Sequence, residues 1–98
     1  MKPYIGLVSK DAESAYGIVF PDAPGCFSAA DTMDEIFAMA SEALVGWTDA
    51  MREERLPLPP RRDLSALRAD AALAAIWADT VLVIAVPVPV GGADAVAA

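Results

Sequence analysis

Carboxylates are the only abundant chemistry-bearing side chains in this sequence, since fourteen Asp and Glu stand beside one Cys and no His. The commonest general base and metal ligand is therefore missing, and the lone thiol of Cys26 permits neither an intrachain disulfide nor a metal site built from cysteines alone. Any reaction would have to run on paired acids, or on two metal ions held by clustered acids. Asp11, Glu13, Asp22, Asp31, Asp34, Glu35, Glu42 and Asp49 lie in the stretch 11–51, which contains no base. Asp22, Asp31, Asp34, Glu35 and Glu42 are the subset able to group around a strand end and a helix start. Each also has a simpler local role, Asp22 as a turn former between Pro21 and Pro24 and the others as caps or partners of a helix dipole. The acid stretch thus reads either as a solvated face or as a docking face for a basic protein.

Seven Lys and Arg against the fourteen acids leave a net charge of −7, which opposes direct binding to a phosphate backbone. Arg52, Arg55, Arg61, Arg62 and Arg68 do cluster, but Glu53, Glu54 and Asp63 stand among them, so local pairing is expected rather than RNA binding. With no His to activate it, Cys26 reads as a small buried hydrophobe.

The elements that must position these residues fit into 98 residues, one small domain. Tyr4 to Val8 and Tyr16 to Phe20 are two β-forming runs joined by a polar connector, a hairpin. Pro21-Asp22-Ala23-Pro24-Gly25 is a turn in which Gly25 supplies a positive φ, and Cys26 to Ala30 returns as a third strand. Thr32 with Glu35 forms a capping box and opens a long helix. On it Met33, Ile36, Phe37, Ala40, Ala43, Leu44, Trp47 and Met51 recur at steps of three and four, one apolar stripe assigned to the core.

That helix must stop before Pro57, where Leu56-Pro57-Leu58-Pro59-Pro60 makes a stiff connector. Asp63 then caps a short Ala-rich helix running to about Trp77, whose ring, like that of Trp47, is expected in the core. The run Thr80 to Val86 reads as a strand covered on both faces, with Pro87 and Pro89 placing it at a sheet edge. The stretch from Ala71 to Val90 is long enough to span a bilayer, but Asp79 near its centre costs roughly 2.5 to 3.5 kcal/mol there, so a strand is preferred to a membrane helix. A helix between strands usually returns the chain parallel to its neighbour. The expected fold is α/β (α+β), βββα(α)β, with a mixed four-stranded sheet of order 3-2-1-4. The long helix covers one face, and the other is left for a second subunit.

The run Tyr16-Gly17-Ile18-Val19-Phe20-Pro21-Asp22-Ala23-Pro24-Gly25-Cys26-Phe27-Ser28, then Asp31-Thr32 and Glu42-Ala43-Leu44, resembles the N-terminal domain of HicB antitoxins. Leu56-Pro57-Leu58-Pro59 and the closing Val81-Leu82-Val83 with Val86-Pro87-Val88 extend the resemblance over residues 3 to 90. It implies a partial ribonuclease-H-like fold and the antitoxin half of a bacterial toxin–antitoxin pair. The partner implied is a HicA toxin, a small basic mRNA-cleaving protein whose catalytic histidine the antitoxin covers. An acidic antitoxin suits a basic toxin, because opposite fields speed encounter and fix orientation.

Many HicB antitoxins continue into an operator-binding segment, and none follows here before Ala98, so autorepression by this chain alone is not expected. The scaffold does not imply nuclease activity, because the first strand, Tyr4 to Val8, carries no acid to complete a two-metal site. The resulting expectation is a non-enzymatic, cytoplasmic, homodimeric or higher-order binding domain over residues 1–90 with a flexible tail at 91–98. It uses no cofactor or metal, has no membrane segment and does not bind nucleic acid directly. The candidate partner-binding residues are Asp22, Phe27, Asp31, Asp34, Glu35 and Glu42. The alternative is an orphan HicB-like interaction module with no toxin partner.

Overall fold

A computed structural model of the chain describes residues 2–10, 12, 13 and 15–89. Strand β1 (Tyr4–Lys10) pairs antiparallel with β2 (Tyr16–Val19), and β2 with β3 (Phe27–Ala30), as the hairpin and turn residues require. The turn before β3 uses Gly25 at φ 85°, a left-handed conformation that glycine adopts without a Cβ clash. One 3₁₀ turn at Met33–Glu35 leads into helix α1 (Ile36–Glu53). The capping pair meets differently from expectation. Thr32 Oγ1 donates to the Glu35 carboxylate at 2.8 Å, and neither side chain bonds a helix amide.

Helix α1 closes with Arg55 at φ 58°, where the Leu56 N–H reaches Met51 O and the Arg55 N–H reaches Arg52 O. These are the two bonds of a Schellman stop. The expected Ala-rich helix is broken at Asp70 into α2 (Leu64–Ala69) and, after a 3₁₀ turn at Ala71–Leu73, α3 (Ala74–Asp79). Asp70 Oδ1 accepts from the Ala72 N–H and so starts the second segment. Strand β4 (Thr80–Val86) completes the sheet in the order β3-β2-β1-β4, on the edge where Pro87 and Pro89 placed it.

The expected mixed sheet is antiparallel throughout, because β4 runs opposite to β1, Tyr4 facing Val86 and Ser9 facing Thr80. The cause is a second pass across the sheet. Helix α1 brings the chain to the Tyr4 end, where the Tyr4 hydroxyl donates to Pro59 O and Lys2 meets Asp63 at 3.0 Å. Helices α2 and α3 then carry it back to the Ser9 end, from which β4 must run down again. Two crossings reverse the direction that one would have preserved.

The main core lies between the sheet and α1: Tyr4, Val8, Ile18, Phe20, Cys26, Ala30 and Val86 meet Ile36, Ala40 and Leu44. The Tyr4 ring stands edge-on to Trp47, centroids 5.6 Å apart. The buried residues of α1 are Ile36, Ala40, Leu44 and Thr48, an i, i+4 row. Such a row is inclined to the helix axis. Phe37 and Met33, which a straight stripe would have buried, therefore stand exposed at the helix start.

Side chains alternate along β1, so Leu7 points to the far face, where it shares a row with Val83 on β4, Val19 on β2 and Phe27 on β3. Exposure rises along that row from 2% at Leu7 to 37% at Val19 and 71% at Phe27. The far face is thus not bare as expected. Leu67 of α2 is buried, α3 lies against β1, and only the β2–β3 half stays open. Strand β4 is less covered than expected, with Val86 alone fully buried, because no strand flanks it on its outer side. The tail at 91–98 lies outside the described residues.

Candidate partner-binding surface

The acids divide into two sets. Asp22 is the most enclosed, its side chain 11% exposed, and it is held by Arg62 at three points. The Arg62 backbone N–H donates to Oδ2 at 2.7 Å, Nε donates to Oδ1 at 2.9 Å, and Nη2 lies 2.8 Å from Oδ1. Arg62 Nη1 also reaches Asp70 Oδ2 at 2.9 Å, so one guanidinium joins the β2–β3 turn to the break between α2 and α3. The hydrogen bond from Arg62, then that from the Ala72 amide, holds the Asp70 carboxyl below the ordinary carboxylate range. Asp22 was expected to serve its own turn or a partner. Its observed role is to bind a connector forty residues away.

Three other arginines are also occupied locally, though not by the acids adjacent in sequence. Arg52 donates to Pro89 O and lies 3.8 Å from Asp49, Arg61 stacks over the Tyr4 ring, and Arg68 stacks over Trp77 at 4.5 Å. Trp77 in turn donates to Leu67 O at 3.0 Å, which fixes α3 on α2.

Asp31, Asp34, Glu35 and Glu42 are exposed and form no ion pair among the described residues. The first three ring the turn from β3 into α1, and Glu42 stands two turns along α1, on the wall of a groove. That groove, of about 390 Å³, runs between residues 25–28 and the Met39, Glu42, Ala43, Gly46 and Trp47 flank of α1. Trp47 Nε1 donates to Pro24 O at 3.0 Å, and Ser28 Oγ donates to Met39 O at 3.1 Å, so both walls are pinned. Cys26 is buried beneath, and burial pushes its thiol up to about 11. Gly46 opens the groove, since a Cβ there would meet nothing within 4 Å.

Asp31, Asp34 and Glu35 thus stand at the turn from β3 into α1, while Glu42 and Phe27 line the groove between β3 and α1. The structure sets Asp22 apart as a fold-holding residue. The sequence reading missed Arg62, Asp70 and the exposed pair Met33 and Phe37. For the last two, the break from period-four spacing at the helix start was the available signal. Among the described residues no three Cys, Asp or Glu side chains gather to hold a metal ion, and no helix is long and apolar enough to cross a membrane.

A four-stranded antiparallel sheet with one long helix on its face, and a groove between that helix and the edge strand, defines a small α/β domain. The family model described as HicB_like antitoxin of bacterial toxin-antitoxin system matches residues 4–89, and the chain belongs to that family. Among solved structures it is similar to a chain of the HicA3 and HicB3 toxin-antitoxin complex, at 28% identity and TM-score 0.69, over 89% of this chain and 98% of that one. It is also similar to the Burkholderia pseudomallei antitoxin HicB at 26% identity and TM-score 0.74, over 92% of this chain. The antitoxin HicB3 structure matches at 26% identity and TM-score 0.67, over 88% of this chain. This chain spans 65% and 61% of those last two. No curated protein sequence matches.

Proposed function

We propose that this chain neutralises a HicA-type mRNA-cleaving toxin by binding it through the β3–α1 flank and covering its active site. The observation that carries this reading is the composition of that flank. Met33 and Phe37 are exposed large apolar side chains in the same turn and helix start as Asp31, Asp34 and Glu35, and Phe27 and Glu42 line the groove that follows, all in a stretch of sequence with no base. Apolar groups supply desolvation at the centre of an interface, while the acids steer and orient a basic partner. The similarity to a chain from a toxin–antitoxin complex supports the same partner class. On this reading the chain catalyses nothing itself and works in the cytoplasm, beside the mRNA that its toxin attacks.

The test is co-expression with the protein encoded next to this chain, then pull-down and an RNA-cleavage assay with and without the chain. A tight complex that silences cleavage is expected. Cleavage that continues at saturating chain refutes neutralisation. The open β2–β3 half of the far face, with Val19 and Phe27, supports homodimerisation as well. Light scattering at micromolar concentration should give twice the chain mass, and a monomer mass removes the dimer from the reading.

A further inference from the structure

Strand β3 is an outer strand of the sheet, and its four residues have a neighbour on one side only. The Phe20 N–H donates to Cys26 O at 3.4 Å, one position beyond the β2–β3 ladder. Hydrogen-bonded and non-bonded pairs alternate in an antiparallel ladder, so Ile18–Ser28 and Tyr16–Ala30 bond each other, while Val19–Phe27 and Gly17–Ala29 do not. The N–H and C=O groups of Phe27 and Ala29 consequently point away from β2, along the open edge. That edge adjoins the groove beside α1, whose helix wall carries Glu42 and is kept clear by Gly46. Both walls come from the base-free stretch of the sequence, so the charge presented to an occupant is negative on every side that carries charge.

An exposed strand edge beside a pinned groove is the geometry that accepts an added strand, main-chain bonds giving affinity and alternate side chains entering the groove. Most such edges are shielded by Lys, Pro or a bulge. Phe27-Ser28-Ala29-Ala30 has none of these. We propose that the partner docks by adding an extended, basic segment of its chain to the β3 edge, pairing with Phe27 and Ala29. Alternate side chains of that segment enter the groove and a Lys or Arg meets Glu42. The inference rests on the antitoxin reading above and specifies how the toxin is held.

The experiment uses the co-expressed wild-type complex and two variants. Gly46→Gln fills the groove at a position with space for it, and the change from glycine favours the helix. Ala38→Gln adds the same bulk to an exposed position of α1 away from the groove. Gly46→Gln is expected to weaken toxin binding by about tenfold or more, the size of loss seen at interface anchors, while its Tm stays level or rises. Ala38→Gln should bind like the wild type. Amide hydrogen exchange should slow at Phe27 and Ala29 on complex formation. A complex that forms with those two amides exchanging as in the free chain, or that tolerates Gly46→Gln, overturns strand addition and leaves the antitoxin reading standing. If the wild type forms no complex, both fall together.

Discussion

Asp22 and Glu42 are the same kind of side chain in opposite employment. Asp22 is nearly enclosed and makes three contacts with Arg62, whereas Glu42 stands in solvent on a groove wall with no ion pair among the described residues. The first joins two regions of chain that no strand or helix connects. The second does nothing for the fold that the structure records. An acidic surplus is thus not one property of this protein: part of it is structural, and the acids of the β3–α1 turn and groove wall form no ion pair among the described residues. The difference lies in distance to a base. Asp22 has one forty residues away that the fold delivers, and the flank acids have none among the described residues.

The largest effect should come from removing the base. Arg62→Ala leaves the enclosed Asp22 carboxylate without a counter-charge, held only by the backbone N–H of residue 62, and also releases Asp70. Breaking one partner of a buried pair is strongly destabilising, and the 38% exposure of the Arg62 side chain softens the loss to a fall in Tm of roughly 10 °C. Adding Asp22→Asn to Arg62→Ala should restore part of the loss, because the stranded charge is gone. A fall of only a degree or two would make Asp22 a surface acid like Glu42 and dissolve the comparison.

Charge reversal on the flank should give the mirror-image result. Asp34→Lys and Glu42→Lys are expected to leave stability within about 0.5 kcal/mol, as exposed substitutions generally do. Each should slow association with a basic toxin by roughly threefold to tenfold at low salt, with the difference shrinking as ionic strength rises. Stopped-flow association at two salt concentrations reads this directly. Unchanged rates would place the toxin elsewhere on the domain.

These two outcomes also mark how far the sequence could be read. The hairpin, the turn at Gly25, α1, β4 and the strand order follow from local patterns, because alternation, turn residues and caps act over a few positions. What escaped depends on distant residues. The direction of β4 hinges on whether the chain from Asp63 to Asp79 makes a second crossing, and composition alone does not count crossings. Asp22 looked like a turn former because its partner Arg62 lies outside any local window. Phe37 looked like core because a helical stripe says which residues share a side, not where the sheet beneath ends. Of the candidate surface, the sequence names the acids and Phe27 only as residue types, while the groove and the open strand edge exist only once β3 and α1 are packed.

Asp70 tests the structural set at its weakest member. Its carboxyl is held below the usual range by Arg62 and the Ala72 amide, and both contacts disappear on unfolding. A folded-state pKa below the unfolded one means the stabilisation is complete above the unfolded value near 3.8 and is lost as pH falls through the folded value. Asp70→Asn keeps a cap acceptor for the Ala72 N–H but gives up the charge on Arg62. At neutral pH it should lower Tm by only a few degrees, since the pair is partly solvated and Asn is itself a good cap. Chemical denaturation of the two proteins along a pH series should show that gap closing as pH drops below 3.8. If the gap instead persists unchanged into acid, the Asp70 contact is carried by its shape and not its charge. The bridge from Asp22 through Arg62 would then end one residue sooner.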